Sequence, residues 1–308
     1  MDWKQEKELI VSEVDGIKLE VLLLIPEGEK KGIFQIHHGM SENKERYLPF
    51  MKFLAHEGYI AVIHDCRGHG RSARTKKNLG YMNGAGAWGL VEDTHQITLL
   101  MKERWPKLPV ILFGHSMGSL VVRTYIKKYD DDINMLIVCG SPSKNPALKM
   151  GKMIADVEKT VRGSRAHSRL LEMASFGSFA AKFKDEKSPF AWCCSDPAVV
   201  AEYEASPLCG FPFTLDGYEA LFQLMEECYS EKGWKCKNPQ LPILFIGGAE
   251  DPCIGGPAKY ARAVQHMRLR GYPKTKGKMY PGMRHEILNE TDKKQVFYDI
   301  KKYIEKFM

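Results

Sequence analysis

The apolar residues of this chain recur in two rhythms that alternate along it. Nearly continuous apolar runs at 32–37, 59–64, 110–113, 133–139 and 242–246 have the length and β-branched content of buried strands. Between them the apolar positions space out to every third or fourth residue, as at Leu48, Met51 and Leu54, or at Leu90, Ile97, Leu100 and Met101. That is the period of helices covering one face of a sheet. Strand, helix, strand, helix in this order predicts parallel strands with helices on both faces. The chain opens differently. Strand-like runs at 8–13 and 17–25 flank Val14-Asp15-Gly16, whose Asp-Gly pair predicts a hairpin and an antiparallel edge.

The rhythm breaks after Gly140-Ser141-Pro142. From 143 to 216 the pattern is helical with no strong strand, which predicts a helical cap (143–216) inserted into a core made of 1–142 and 217–308. Within it, Met150, Met153, Ile154, Val157 and Val161 share one face of a helix over 147–161, and Lys149, Lys152, Lys159 and Arg162 share the other. A helix lying flat on its own protein has this pattern, and that is the expectation here; a helix resting on a membrane surface has it too, so transient lipid contact is the alternative. The alternation then resumes with helices near 218–229 and 258–267 and a short strand at 276–280. A last helix opens at Thr291 or Asp292 and buries Val296, Ile300, Tyr303, Ile304 and Phe307.

Composition narrows the class. A chain of 308 residues, 44% hydrophobic and 27% charged, can bury the full core of a globular enzyme. Its net charge of +7 comes from scattered lysines and arginines and accompanies no nucleic-acid-binding motif, so a nucleic-acid partner is not expected. The opening MDWKQEKELI has no apolar signal core and no later run is long enough to span a bilayer, which predicts a cytoplasmic protein. Eight cysteines without CxxC or zinc-ligand spacing then read as reduced, mostly packing thiols, with no metal and no cofactor.

The stretch from Pro109 to Tyr129 carries the chemistry. Its apolar strand runs into Gly114-His115-Ser116-Met117-Gly118 and then into a helix, so Ser116 stands on a sharp strand-to-helix turn with glycines two residues to either side. A serine hydroxyl needs a base, and the base needs a third group to fix its tautomer and stabilise its cation. Asp251 in GGAEDPC and His285 in YPGMRHE each follow a later strand, and His285 is the one histidine beyond the final strand. Loops after parallel strands gather at one edge of the sheet, so Ser116, Asp251 and His285 can meet there. His69 and His115, in glycine-bounded turns, read as loop hydrogen-bonders. An oxyanion would be held by the backbone N–H of Met117, after the candidate nucleophile, and by one from His38-Gly39-Met40 after the third strand, with Met40 preferred to Gly39. Ser41 and Asn43 are candidate caps for the helix that follows.

The segments HHGMSENKERY, HDCRGHGRS, GHSMGS, GGAEDPC and MYPGMRHEILNE resemble the monoacylglycerol lipase and lysophospholipase branch of the α/β-hydrolases, the serine aminopeptidase-like group. The cap stretch AWCCSDPAVVAEYEASPLCGFPFT is similar to that of bacterial members. The resemblance spans the sheet framework, departing at Ser119, where the family usually has a second glycine. It implies an α/β-hydrolase fold and a serine hydrolase of carboxylic esters, with Ser116, Asp251 and His285 as triad and the Met40 and Met117 amides as oxyanion donors. The Met- and Phe-rich cap suits an apolar acyl chain, with Phe176, Phe179, Phe211 and Phe213 as candidate contacts. Two rivals stand beside this reading. An aminopeptidase would draw an acidic amine site from Asp185, Glu186, Asp196, Glu202 and Glu204, and a ligand-binding protein would keep the fold without turnover.

Overall fold

A computed structural model describes residues 2–308. The strands β1 (Trp3–Val11), β2 (Lys18–Pro26), β3 (Gly32–His37), β4 (Tyr59–His64), β5 (Val110–His115), β6 (Met135–Cys139), β7 (Ile243–Gly248) and β8 (Thr275–Tyr280) form one sheet in the order β1-β2-β4-β3-β5-β6-β7-β8. β1 and β2 are antiparallel to their neighbours, and every pair from β4 to β8 is parallel. The hairpin edge is guarded by Lys4, Glu6, Lys7 and Glu8 along β1, which discourages pairing with another chain.

The helices are α1 (Leu48–His56), α2 (Gly86–Arg104), α3 (Met117–Tyr129), α4 (Leu148–Arg162), α5 (Arg169–Lys182), α6 (Pro197–Ala205), α7 (Leu215–Tyr229), α8 (Pro257–Leu269) and α9 (Lys293–Phe307). Alternate residues of the buried strands feed two cores. Phe34, Ile36, Ile111 and Phe113 meet Phe50 and Leu54 of α1 and Phe297 and Ile300 of α9. Ile33, Val110 and Leu112 meet residues of α2, α3, α7 and α8 on the other face. Because both faces are covered, β3 to β7 are buried throughout, which is why they read as continuous apolar runs. In α9, Tyr303 and Phe307 are only partly buried, while Phe297 is buried in the core.

Residues 143–216 hold α4, α5 and α6 and add no strand to the sheet; the nearest approach is an isolated bridge between His167 and Thr214. The expected end at Asp216 falls in the first turn of α7, whose N-cap is Thr214. The expected burial of the α4 apolar face is overturned. Met150, Met153, Val157 and Val161 are 58, 61, 60 and 79% exposed. α4 instead packs on α7 through its small residues. Gly151 abuts the Phe222 ring, Ala155 is buried, and Lys152 and Lys159 pair with Glu226 and Glu219 on α7. Helical period identifies a face but not what lies against it. Here the close approach allowed by Gly151 and Ala155 decided the rotation. Among the described residues no helix is long and apolar enough to cross a membrane.

Candidate active site

The C-terminal ends of β3, β5, β7 and β8 converge on one crevice. Ser116 links β5 to α3 with φ 52° and ψ −118°, a backbone conformation that side-chain-bearing residues seldom adopt. The turn is fixed from both sides: Ser116 N–H donates to the Cys139 carbonyl at 2.9 Å, and the Ser116 carbonyl accepts from the N–H and hydroxyl of Ser119. Ser119 thus fits the site of the family's second glycine, fully buried and with its hydroxyl satisfied.

Asp251 follows β7 and His285 follows β8. His285 Nδ1 donates to Asp251 Oδ2 at 2.9 Å, and Asp251 Oδ1 accepts from Cys253 N–H at 2.8 Å, so the carboxylate is oriented at both oxygens. This leaves the far nitrogen of the His285 ring available, and both Ser116 and His285 line one cavity. Trp192 packs on the His285 ring with centroids 5.0 Å apart. Asp251, Cys253 and His285 also offer donor atoms within 4.8 Å of one another. They suit a cation poorly, because the Asp251 and His285 donors bond each other and burial pushes the Cys253 thiol up, keeping it protonated.

The loop after β3 forms the opposite wall. Gly39 lies so close to the elbow that a Cβ there would sit 3.0 Å from Ser116 Cβ. Its N–H already donates to Glu42 Oε1 at 2.5 Å, which leaves it unable to serve an oxyanion. The Met40 N–H has no acceptor among the described residues, and Met40 lines the cavity. Met117 opens α3, so its N–H lies outside the helical hydrogen-bond ladder. Ser41, expected as a cap, has φ 53° instead and locks the loop: its N–H donates to His69 Nε2 and its carbonyl accepts from Gly210 N–H and Tyr203 hydroxyl. Asn43 does cap the short turn Lys44–Tyr47.

The cavity encloses about 350 Å³ and is walled mainly by Met40, Met173, Phe176, Phe190, Trp192 and Phe211. Of the four phenylalanines expected there, Phe176 and Phe211 face it. Phe213 is fully buried between His69 and Tyr218, where it anchors the start of α7, and Phe179 packs on Phe176 and Trp192 without lining the cavity. The five acids considered for an amine site line none of it. Glu186 pairs with Arg284, Glu204 accepts from Ser188, and Asp196 caps α6.

Sequence reasoning missed a buried charge cluster behind the His285 ring. Glu42 contacts His115 Nδ1 at 3.2 Å and Arg46 at 3.0 Å, and accepts from the Tyr47 hydroxyl at 2.9 Å. Arg46 then grips both oxygens of Glu286 at 2.6 and 2.5 Å. Burial alone would push the Glu42 carboxyl up, but the bond and charge of His115 and the Arg46 guanidinium outweigh it and hold Glu42 well below the usual carboxylate range. His115 is displaced oppositely: burial pulls it down, yet Glu42 and Glu286 carry it above an ordinary histidine. The only local signal was the density of charge in ENKER, which resembles a solvated loop.

A mostly parallel sheet of this order, an elbow serine after β5, an acid after β7 and a histidine after β8 define an α/β-hydrolase. The family described as serine aminopeptidase S33 (Hydrolase_4) matches residues 28–292, and the chain belongs to it, on its monoacylglycerol lipase-like branch. It is 25% identical over 302 residues to the monoacylglycerol lipase of Mycolicibacterium smegmatis, covering 94% of each chain. A shorter match, 30% identical over 96 residues, joins it to human monoglyceride lipase, with 31% of this chain and 30% of the human protein covered. Among solved structures, a thermostable carboxyl esterase from Bacillus coagulans in complex with glycerol superposes with a TM-score of 0.91 at 25% identity, covering 98% of both chains.

Proposed function

We propose that this protein is a serine hydrolase of carboxylic esters, acting on monoacylglycerol- or lysophospholipid-type acyl esters, with residues 143–216 as its cap. The observation that carries the reading is a histidine oriented by a carboxylate at 2.9 Å and opening, together with an elbow serine, into a mainly apolar cavity. His285 takes the Ser116 proton as Ser116 Oγ attacks the ester carbonyl, and the Met40 and Met117 amides hold the oxyanion. His285 returns the proton to the departing alcohol. Water, deprotonated by the same ring, then cleaves the acyl-enzyme and releases the carboxylic acid. The apolar walls favour an acyl chain over a charged peptide terminus, and none of the five candidate acids of the aminopeptidase reading lines the cavity; of the acids that do, Glu42 and Glu286 are engaged by His115 and Arg46, and Glu172 stands on α5.

The exposed α4 face adds a partner. Met173 of α5, 72% exposed, borders both the surface and the cavity, and Met150, Met153 and Val157 stand exposed on α4, the preceding helix of the cap, which also carries Lys149 and Arg162. Such a surface suits transient contact with an anionic lipid interface delivering the substrate. The test is hydrolysis of esters from acetyl to palmitoyl, a monoacylglycerol and a lysophospholipid by wild type and Ser116→Ala. Activity should favour longer acyl groups and vanish in the variant. Full activity in Ser116→Ala, or fluorophosphonate labelling of another residue, overturns the assignment; a preference for acetyl overturns the substrate class.

A further inference from the structure

We infer that Glu42 is a positioning residue which, through a buried ion pair with His115 and its grip on the Gly39 amide, holds the oxyanion loop and the His285 loop in one catalytic register. The inference rests on the proposed serine-hydrolase reading and extends it to a residue outside the triad and the oxyanion hole.

Each contact of the Glu42 carboxylate ends on a piece of the candidate machinery. Oε1 accepts from Gly39 N–H at 2.5 Å, which fixes the peptide plane immediately before the Met40 amide. The same oxygen faces His115 Nδ1 at 3.2 Å, and His115 precedes Ser116 in the chain. His115 Nε2 lies 3.2 Å from the carbonyl oxygen of His285, and the two rings pack with centroids 4.7 Å apart. Both nitrogens of His115 therefore face oxygen acceptors, an arrangement that an imidazolium satisfies and a neutral ring cannot. Oε2 takes Arg46, which clamps Glu286 next to His285, and the Glu286 N–H donates to the Cys193 carbonyl at 2.7 Å. The titratable groups around the pair are Arg46 and Tyr47 from the loop before α1, His38 from the loop after β3, Glu286 and His285 from the loop after β8, and the buried thiols of Cys139 at the end of β6 and Cys193 in the cap.

An uncharged replacement cannot reproduce this pattern. In Glu42→Gln the amide nitrogen faces either Arg46 or the Gly39, Tyr47 and His115 donors, so one side loses its acceptor in either orientation. The charges are buried, where an unpaired cation is costly, and His115⁺ or Arg46⁺ would shift toward another oxygen. A displacement of the preceding peptide plane turns the Met40 N–H away from a developing oxyanion. That harms the transition state and spares ground-state binding.

The experiment compares wild type, Glu42→Gln and His115→Gln on one activated acyl ester, with active sites counted by fluorophosphonate labelling at Ser116. For each variant kcat per labelled site should fall about 10²-fold while KM stays within about twofold, and affinity for a trifluoromethyl ketone of matched acyl length should weaken by the same factor as kcat. A role confined to folding would lower the thermal midpoint and the labelled fraction but leave kcat per labelled site unchanged, and that result overturns the inference. Absence of Ser116 labelling in wild type would instead defeat the serine-hydrolase reading on which it rests.

Discussion

Gly118→Ala tests the claim that the elbow works through a close approach of backbones. A Cβ at this position, in the first turn of α3, would lie 2.3 Å from the His37 carbonyl oxygen and 2.6 Å from that of His38. Ordinary contact begins near 3.4 Å, so β3 and α3 must part by about 1 Å, and neither partner is a flexible side-chain end that could swing aside. His37 and His38 lead directly into Gly39 and Met40, and the displacement is therefore transmitted to the proposed oxyanion donor. A misplacement of that size at a reacting centre costs about 10²-fold in rate. The stability cost of overpacking, about 1–3 kcal/mol, should lower the melting temperature by roughly 2–6 °C and leave the protein folded at 25 °C. Steady-state hydrolysis per fluorophosphonate-labelled site should show kcat reduced about 10²-fold with KM changed less than about threefold. Gly247→Ala in β7 is the control, since its Cβ would meet only Ile254 and Tyr260 side chains at 3.5 Å and beyond, and kcat should be unaffected. If Gly118→Ala kept kcat within about threefold of wild type, neither the close approach nor its link to Met40 could matter to catalysis.

Further outcomes follow from the same geometry. In Asp251→Asn the side-chain oxygen stays with Cys253 N–H, which turns the amide nitrogen toward His285 and selects the wrong tautomer; kcat should fall about 10³–10⁴-fold with little change in KM, and a drop below about tenfold would contradict the assigned role. Burial, with the charge of His38, pulls His37 down to about 3; burial pulls His69 to about 3 and His64 well below its ordinary value. These rings take up protons on unfolding as pH falls below about 6.5, a window that for His37 and His69 extends to about 3, so the stability they contribute is complete above it and is lost as pH falls through it, by at most about 1.4 kcal/mol per pH unit for each ring. Urea midpoints should drop steeply from pH 7 to 5, whereas constant midpoints would show that the rings are not buried neutral. The double variant Met153→Glu with Val157→Glu should lose co-sedimentation with anionic phosphatidylglycerol vesicles and keep its rate on a soluble short-chain ester, since both side chains stand free of the core; unchanged sedimentation would exclude this face as the lipid contact.

What could be read in advance was set by local rules. β3, β4 and β7 were legible because apolar runs bounded by glycine, proline or charge have few alternatives, and β5, Ser116 and α3 because a strand-turn-helix with glycines at fixed offsets is a local device. The sheet order was less accessible. The direct pairing of β2 with β4 and of β3 with β5 depends on crossovers that period does not encode. The α4 face was misjudged for a related reason. Residues 147–161 record an apolar stripe, but its partner would have to come from α7, more than fifty residues on, and α7 presents Glu219, Glu226 and Phe222 to the opposite side of the helix.

The Glu42 cluster shows the same limit at the candidate site. In HHGMSENKERY, Glu42, Lys44, Glu45 and Arg46 have the composition of a solvated turn, and nothing within that stretch distinguishes them. Yet Lys44 is buried against Asp65, Glu42 against His115 and Arg46 against Glu286, while Glu45 is half-buried beside Lys44. The burial is supplied by segments 21, 73 and 240 residues away. A charge buried in this way is stable only while each of its partners is in position. The loop that carries Met40 consequently reaches its working geometry only when β4, the elbow and the His285 loop have all assembled, and the residues that bring this about look from sequence like the ones most easily dispensed with.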